Sequence, residues 1–336
     1  MSPPDHQPAD SLPGGRLRID LVIPVYNEEE AIRMFHQRLR AAVDPLEHDF
    51  SILYVNDGSK DATAQRLAEI AADDRRVTVI ELSRNFGHQA ALTAGLDYSR
   101  GELVITLDGD GEHPPELIAE MIRLAQNGYE VVLTQRVESQ QAGWFKRWTS
   151  DTFYRWLNRL SNTQIQPGSG DFRLLHRRAA DALCKMREYQ RFLRGMVAWM
   201  GYRAVILPYT PAARLAGRSK YSLRKMLRLA ADALFSFSLA PLFVGISLGG
   251  LFLLLALVEV IYVLSFWVTG QQSNLAPGWS SLMFVLLVVG GVLMVTLGII
   301  GVYVGYIFQE VKRRPIYFVR RVLGERGVDG EAGGDA

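Results

Sequence analysis

Apolar residues arrive in two rhythms along the first two thirds of the chain. Short solid runs at residues 19–25 (IDLVIPV), 51–55 (SILYV), 77–82 (VTVIEL), 103–107 (LVITL) and 131–135 (VVLTQ) read as buried strands. Between them, EEEAIRMFHQRLRAAV, DATAQRLAEIAA and PELIAEMIRLAQ place apolar residues at helical spacing. This alternation predicts an α/β fold with a mostly parallel sheet. Ligands of such sheets bind beyond the carboxyl ends of the strands. Three polar clusters stand there: YNEEE after the first strand, NDGSKDAT after the second and DGDGEHPPE after the fourth.

The last third changes character. Leu242 to Val268 is apolar apart from Glu259, and Leu282 to Phe308 carries no charge. At ~1.5 Å rise per helical residue each run is long enough to cross a bilayer. The connection Thr269 to Ser281 has no Lys, Arg, Asp or Glu, whereas Arg224, Lys225 and Arg228 precede the first run and Lys312, Arg313, Arg314, Arg320 and Arg321 follow the second. The positive-inside rule then predicts two spans in the plasma membrane, a short outer loop, and both termini in the cytoplasm. Glu259 is costly in lipid and is expected to face protein or to snorkel. Residues 221–238 form an amphipathic pattern, apolar at Leu223, Met226, Leu227, Ala230, Ala231 and Leu234. Such a helix either packs on the soluble domain or lies in the membrane interface; its place directly before a span favours the interface.

The expected organisation is a disordered tail (1–16), a catalytic domain (17–220), the interface helix (221–238), two spans (239–308) and a basic tail (309–336). The N-terminal stretch MSPPDHQPADSLPGG has neither the basic start nor the apolar run of a signal peptide. A net charge of +2 gives no pull toward nucleic acid. Cys184 is the one cysteine, so no internal disulfide forms, and its helical surroundings read as core.

The first turn, PVYNEEE, lacks the glycines of a dinucleotide site, and no P-loop occurs. Instead Asp108, Asp110 and Glu112 crowd the tip of the fourth strand. Three such carboxylates repel unless a cation lies among them. Mg²⁺ and Mn²⁺ favour carboxylate oxygen and share their coordination with substrate phosphates. An EF-hand does not fit, because its glycine position holds His113 and its closing glutamate position holds Ala119. A lone DxD is often a solvated turn; the company of the two other clusters favours the metal.

The stretches LVIPVYNEEEAI, YVNDGSKDAT, LSRNFGHQAALTAGLD, TLDGDGEHPPELI, GDFRLLHRR, RLAGRSKYSLRKM and GIIGVYVGYIFQEVKRRPIY together resemble the polyisoprenyl-phosphate glycosyltransferases. These are GT-A enzymes of glycosyltransferase family 2, such as bactoprenol glucosyltransferases and dolichol-phosphate mannose synthases. The resemblance runs in order from about Ile19 to Phe318 and implies a Rossmann-like nucleotide-sugar-binding domain followed by two spans. It implies that Pro24, Tyr26, Glu28 and Asp57 hold the nucleoside, that Asp108, Asp110 and Glu112 hold Mg²⁺ or Mn²⁺, and that Arg136 meets substrate phosphate. Many relatives carry Gln at the Glu112 position, and a second family arginine is Ser139 here.

Asp171 matches the residue assigned as base or acceptor organiser, with a helix cap or a salt bridge to Arg173 or Arg177 as the plainer alternative. Arg214, Ser219 and Lys220 match the segment that binds the acceptor phosphate, and Arg218 adds a charge. Arg191 and Arg194 are possible further cations. The implied reaction is inverting transfer of one sugar from a UDP- or GDP-sugar to a polyprenyl phosphate, in a chain that can associate as a homo-oligomer. The rivals are a processive synthase, whose QxxRW motif is missing from YQRFLRGMVAW, and a noncatalytic membrane partner of a flippase.

Overall fold

A computed structural model describes residues 15–137, 169–189, 191–210, 240–269 and 278–324. All five expected strands are present: β1 (Arg18–Val25), β2 (Asp49–Asn56), β3 (Val77–Leu82), β4 (Leu103–Thr106) and β5 (Val131–Arg136). β1 to β4 are mutually parallel neighbours in the order β4-β1-β2-β3. Their solid apolar runs follow from burial on both faces, as in parallel sheets generally. Pro24 offers no N–H to a ladder, and it is tolerated in β1 because pairing with β4 stops at Val22–Thr106.

Helices α1 (Ile32–Val43), α2 (Thr63–Asp73) and α4 (Ile118–Gln126) take up the predicted amphipathic stretches. α1 buries Ile32, Phe35, His36, Leu39 and Val43, an i, i+3, i+4, i+7 stripe. Residues of these three helices share one core with Leu21, Ile23, Ile52 and Tyr54 of the sheet. A helix with no stripe, α3 (His88–Tyr98), covers the other face. It lies so close that a Cβ on Gly95 would stand 2.2 Å from Val22 Cγ1. Ala91 and Ala94 pack there with Val55, Ile80 and Leu82.

Three further strands complete an eight-stranded mixed sheet of order β7-β5-β6-β4-β1-β2-β3-β8. β6 (Ser169–His176) runs antiparallel between β4 and β5, and β7 (Ala204–Tyr209) lies parallel to β5. Helices α5 (Arg177–Lys185) and α6 (Leu193–Trp199) join β6 to β7. Residues 309–336, expected as a basic tail, contain β8 (Val319–Leu323), antiparallel to β3 at the sheet edge. Residues 315–336 accordingly belong to the same compact unit as residues 1–222.

Residues 223–314 form a second unit. It holds two long apolar helices, α7 (Ala240–Val268) and α8 (Trp279–Val311). They approach closely where Gly245 meets Thr296, as small residues allow between apolar helices. Among the described residues one stretch, Val288–Val311, is long and apolar enough to cross a membrane, where two were expected. The expected interface helix at 221–238 lies outside the described residues.

Candidate active site

The polar clusters converge because strands β1, β2 and β4 end side by side. The first two are stitched together by side chains bonding backbone. Asn27 N–H donates to Ser59 Oγ (3.0 Å), Glu28 N–H to Thr63 Oγ1 (2.8 Å), Lys60 N–H to Asn27 Oδ1 (2.9 Å) and Ala62 N–H to Glu29 Oε2 (2.8 Å). Asn27 itself has φ +53°, a left-handed conformation that asparagine accepts more readily than most residues. Pro24 is buried, and Tyr26 and Glu28 are half-buried at this rim.

Asp57 is 3% exposed, and both of its oxygens are engaged. Oδ1 accepts from Phe86 N–H (2.7 Å) and Oδ2 from Gly87 N–H (3.0 Å), while burial pushes its carboxyl pKa up. The carboxylate thus fastens the β3–α3 loop. That loop presses on Gly58, where a Cβ would stand 2.4 Å from the Arg84 carbonyl carbon and φ is +62°. Glycine meets both demands.

The acidic loop follows β4. Asp108 N–H donates to His113 Nδ1 (2.9 Å), and His113 stacks on Phe172 at 5.1 Å between ring centres. Asp110 Oδ1 accepts from Glu112 N–H (3.0 Å), closing a tight turn, and a Cβ on Gly109 would stand 2.7 Å from Val25 Cγ1. Arg38 of α1 holds the loop from outside, with Nε and Nη2 on Glu116 (2.8 and 2.9 Å) and Nη1 on the Gly111 carbonyl (3.4 Å). Burial pushes the Asp110 carboxyl up, and the charges of Asp108 and Glu112 add to it. Arg136 lies 3.5 Å from Glu112, so the structure brings this expected phosphate contact to the acidic loop.

Asp171 reaches the same place from β6. It is 4% exposed and surrounded by cations. Arg173 bonds its Oδ1, Arg194 spans both oxygens (Nε 3.3 Å, Nη2 3.0 Å), and His88 Nε2 lies 3.3 Å from Oδ2. Gln89 Nε2 adds a contact at 3.4 Å. Burial alone would raise the Asp171 carboxyl; Arg194, His88 and Arg173 outweigh it and hold it well below the usual carboxylate range. His88 also stands 3.6 Å from Asp108 Oδ1 and so links the acidic loop to Asp171. Burial opposes protonation of His88, yet Asp108 and Asp171 raise its pKa to about 9.

One observation bears on a metal. Among the described residues Asp108 Oδ1 is buried and has no hydrogen-bond partner, an expensive arrangement for a carboxylate oxygen. A divalent cation would satisfy it, and Asp110 stands next to it with its own charge disfavoured. Among the described residues no three His, Cys, Asp or Glu side chains gather tightly enough to hold an ion alone. Two carboxylates with substrate phosphates filling the remaining positions is the arrangement Mg²⁺ commonly uses. The residues fit such an ion on those terms.

Arg214, Arg218, Ser219 and Lys220 lie outside the described residues. Sequence reasoning passed over His88, Gln89 and His113 as site residues, whereas the salt bridge from Asp171 to the buried Arg173, its plainer alternative for Asp171, is present. Arg194, a secondary candidate, proves to be a direct partner of Asp171. A polar His-Gln pair opening an otherwise small and apolar helix, HQAALTAGL, was the available signal.

The family model described as Glycosyl transferase family 2 matches residues 20–184. An uncharacterized glycosyltransferase of Bacillus subtilis, YkcC, is 39% identical over 92% of this chain and 95% of its own. A prophage bactoprenol glucosyl transferase homolog of Escherichia coli is 35% identical over 91% of this chain and 99% of its own. The bactoprenol glucosyl transferase of Shigella phage SfII is likewise 35% identical, over 91% and 98%. A solved mannosyltransferase from Pyrobaculum calidifontis aligns over 88% of this chain and 90% of its own at 18% identity and TM-score 0.45, too distant to bear on the site. With relatives this similar along nearly their whole length, the chain belongs to glycosyl transferase family 2 and is a glycosyltransferase.

Proposed function

We propose that this enzyme moves a single sugar from a nucleoside diphosphate sugar to the phosphate of a polyprenol. Two features support the reading. Relatives at 35% identity along almost the full chain are bactoprenol glucosyl transferases by name. The carrying observation is the buried, unbonded Asp108 oxygen in an acidic loop joined through His88 to Asp171.

Pro24, Tyr26 and Glu28 line the nucleoside, and Asp57 serves it by fixing the Phe86–Gly87 backbone. Asp108 and Asp110 hold Mg²⁺ or Mn²⁺, with Glu112 as a third carboxylate. When bound, the ion supplies Lewis-acid stabilisation of the departing diphosphate. Arg136, kept near by Glu112, faces the same phosphates. The acceptor is a phosphate monoester whose second pKa is ~6, so it is largely dianionic at neutral pH and needs aim more than deprotonation. Its oxygen forms a bond to the anomeric carbon as the bond to the diphosphate breaks and the electron pair leaves with the nucleotide. No proton changes hands, and a single displacement inverts the centre.

Asp171 suits this chemistry as an organiser. Its oxygens are committed to Arg173, Arg194, His88 and Gln89, and its basicity is very low. It holds Arg194 and His88 in fixed positions beside the acidic loop. Arg214, Arg218, Ser219 and Lys220 are assigned to the acceptor phosphate by motif. α7 and α8 act as two spans, with the sugar-transferring unit and both termini on the cytoplasmic side of the plasma membrane.

The test is purified enzyme in detergent with undecaprenyl phosphate, Mn²⁺ and a panel of UDP- and GDP-sugars. Labelled lipid from one donor, lost on chelation with EDTA and in Asp110→Ala, is the expected result. A folded, nucleotide-binding protein that labels no lipid with any donor would overturn the reading.

A further inference from the structure

The segment that follows α8 does not trail into solvent. Its residues grip the loop that Asp57 fastens. Phe318 carbonyl accepts from Ser83 N–H (2.8 Å), and Arg320 Nη2 donates to the Ser83 carbonyl (2.9 Å). Both backbone groups of Ser83 are therefore taken by this segment. The Phe318 ring lies 6.2 Å from that of Phe86, over which the Arg84 guanidinium also sits at 4.2 Å. Phe86 and the next residue, Gly87, supply the two N–H groups that Asp57 accepts.

The same segment also reaches α3. Tyr317 OH donates to Asp97 (2.8 Å), which Arg187, just past the end of α5, holds from another side (2.8 and 3.0 Å). α3 begins with His88 and Gln89, two of the residues that touch Asp171. Within β8, Arg321 forks onto the buried Glu81 of β3 (2.7 and 2.8 Å). A buried carboxylate paired bidentately fixes register as well as orientation. The register itself slips between Glu81 and Leu82, at the point where the loop begins.

We propose that Tyr317 to Arg321 is a positioning element of the donor site. It sets the Ser83–Gly87 loop, and through that loop Asp57 and the start of α3, into the arrangement that receives the nucleotide. None of its residues needs to touch substrate. The inference rests on the donor reading given above for what binds there. It explains why a strand of five residues, two of them arginine, is added to the sheet beside β3: without it the edge at the site would be an unpaired rim next to a loop that must hold still.

The experiment compares full-length enzyme in detergent with Phe318→Ala/Arg320→Gln, with the milder Tyr317→Phe, and with Val322→Ala as a control in the same strand. Val322 pairs with Ile80, away from the loop. Hydrogen exchange is followed at the Phe86 and Gly87 amides, UDP and GDP binding with Mn²⁺ by calorimetry, and thermal midpoints alongside. The double variant should exchange faster at both amides and bind the preferred nucleotide about fivefold more weakly, the scale of one lost aromatic contact. Tyr317→Phe should shift in the same direction and Val322→Ala should not. Unchanged exchange at Phe86 and Gly87 would overturn the proposal. So would nucleotide losses that track the thermal midpoint equally in all three variants, since that is general destabilisation. Faster exchange in a protein whose wild type binds neither UDP nor GDP would instead sink the donor reading, and the functional half of the proposal with it.

Discussion

Replacing Asp171 by Asn should damage folding as well as catalysis, and the structure says which partner carries the cost. Of the three cations around Asp171, Arg194 and His88 retain 30% and 42% side-chain exposure, whereas the Arg173 side chain is 3% exposed. Water can compensate the first two when the carboxylate is neutralised. It cannot reach Arg173, whose side-chain hydrogen-bond partner among the described residues is Asp171. Breaking a buried pair from one side costs about 3–5 kcal/mol. For a domain of this size each kcal/mol moves the thermal midpoint by roughly 2–4 °C, so a fall of about 10 °C is expected. Asp171→Asn/Arg173→Met removes both charges and should regain more than half of that loss, because nothing buried is left uncompensated. The assay is thermal unfolding of the detergent-purified enzyme, followed by intrinsic fluorescence, for wild type, both single variants and the double. An Asp171→Asn protein that melts within about 2 °C of wild type, or a double variant no better than the single, would refute the reasoning.

Arg38→Ala should loosen the acidic loop by freeing Glu116 and the Gly111 carbonyl; donor KM should rise several-fold while stability changes by less than about 1 kcal/mol, as for a half-exposed ion pair. Gly95→Ala should destabilise by about 1–3 kcal/mol, since its new methyl group would collide with Val22 between α3 and the sheet; a melting curve matching wild type would contradict this. Stability should also fall as pH drops below ~6.5. Burial lowers the His36 pKa; Asp74 at 3.8 Å and Asp44 oppose this, Arg40 and Arg76 favour it, and Tyr54 OH lies 3.1 Å away. The unfolded chain then takes up its proton first, so the folded state is at full advantage above ~6.5 and loses it as pH falls toward the folded value. Thermal midpoints across pH 5 to 8 should show this slope, and His36→Gln should flatten it.

The sequence was most legible where the fold is most local. The five apolar runs and three striped helices needed no knowledge of their neighbours, and all are present. α3 escaped because it is wedged against the sheet by Ala91, Ala94 and Gly95, and a helix buried through small residues shows no stripe. β6 escaped as a strand because Arg173 and Asp171 interrupt its apolar pattern, and they neutralise one another only in the folded state. β8 reads VRRVL, and its two arginines resemble a solvated tail until Glu81 and Ser83 are placed opposite them. The same limit applied to the site. Asp108 and Asp110 stand together in sequence, but the His88 that connects them to Asp171 lies a whole helix and strand earlier, and no spacing rule reaches that far.

The direction of β6 has a consequence for how such an enzyme can diversify. β5 runs parallel to β4, and β6 runs against both, so the chain leaves β5 and enters β6 at one and the same edge. That edge carries Asp108 and Asp171. β7, parallel to β5, also ends there at Tyr209. Val137, Ser169 and Thr210, which border residues 138–168 and those after 210 in sequence, therefore all stand at this one rim of the sheet. Length and sequence can change in both places while every strand keeps its register. A lineage can vary what the site accepts by rewriting these segments, leaving the acidic loop and its countercharges untouched.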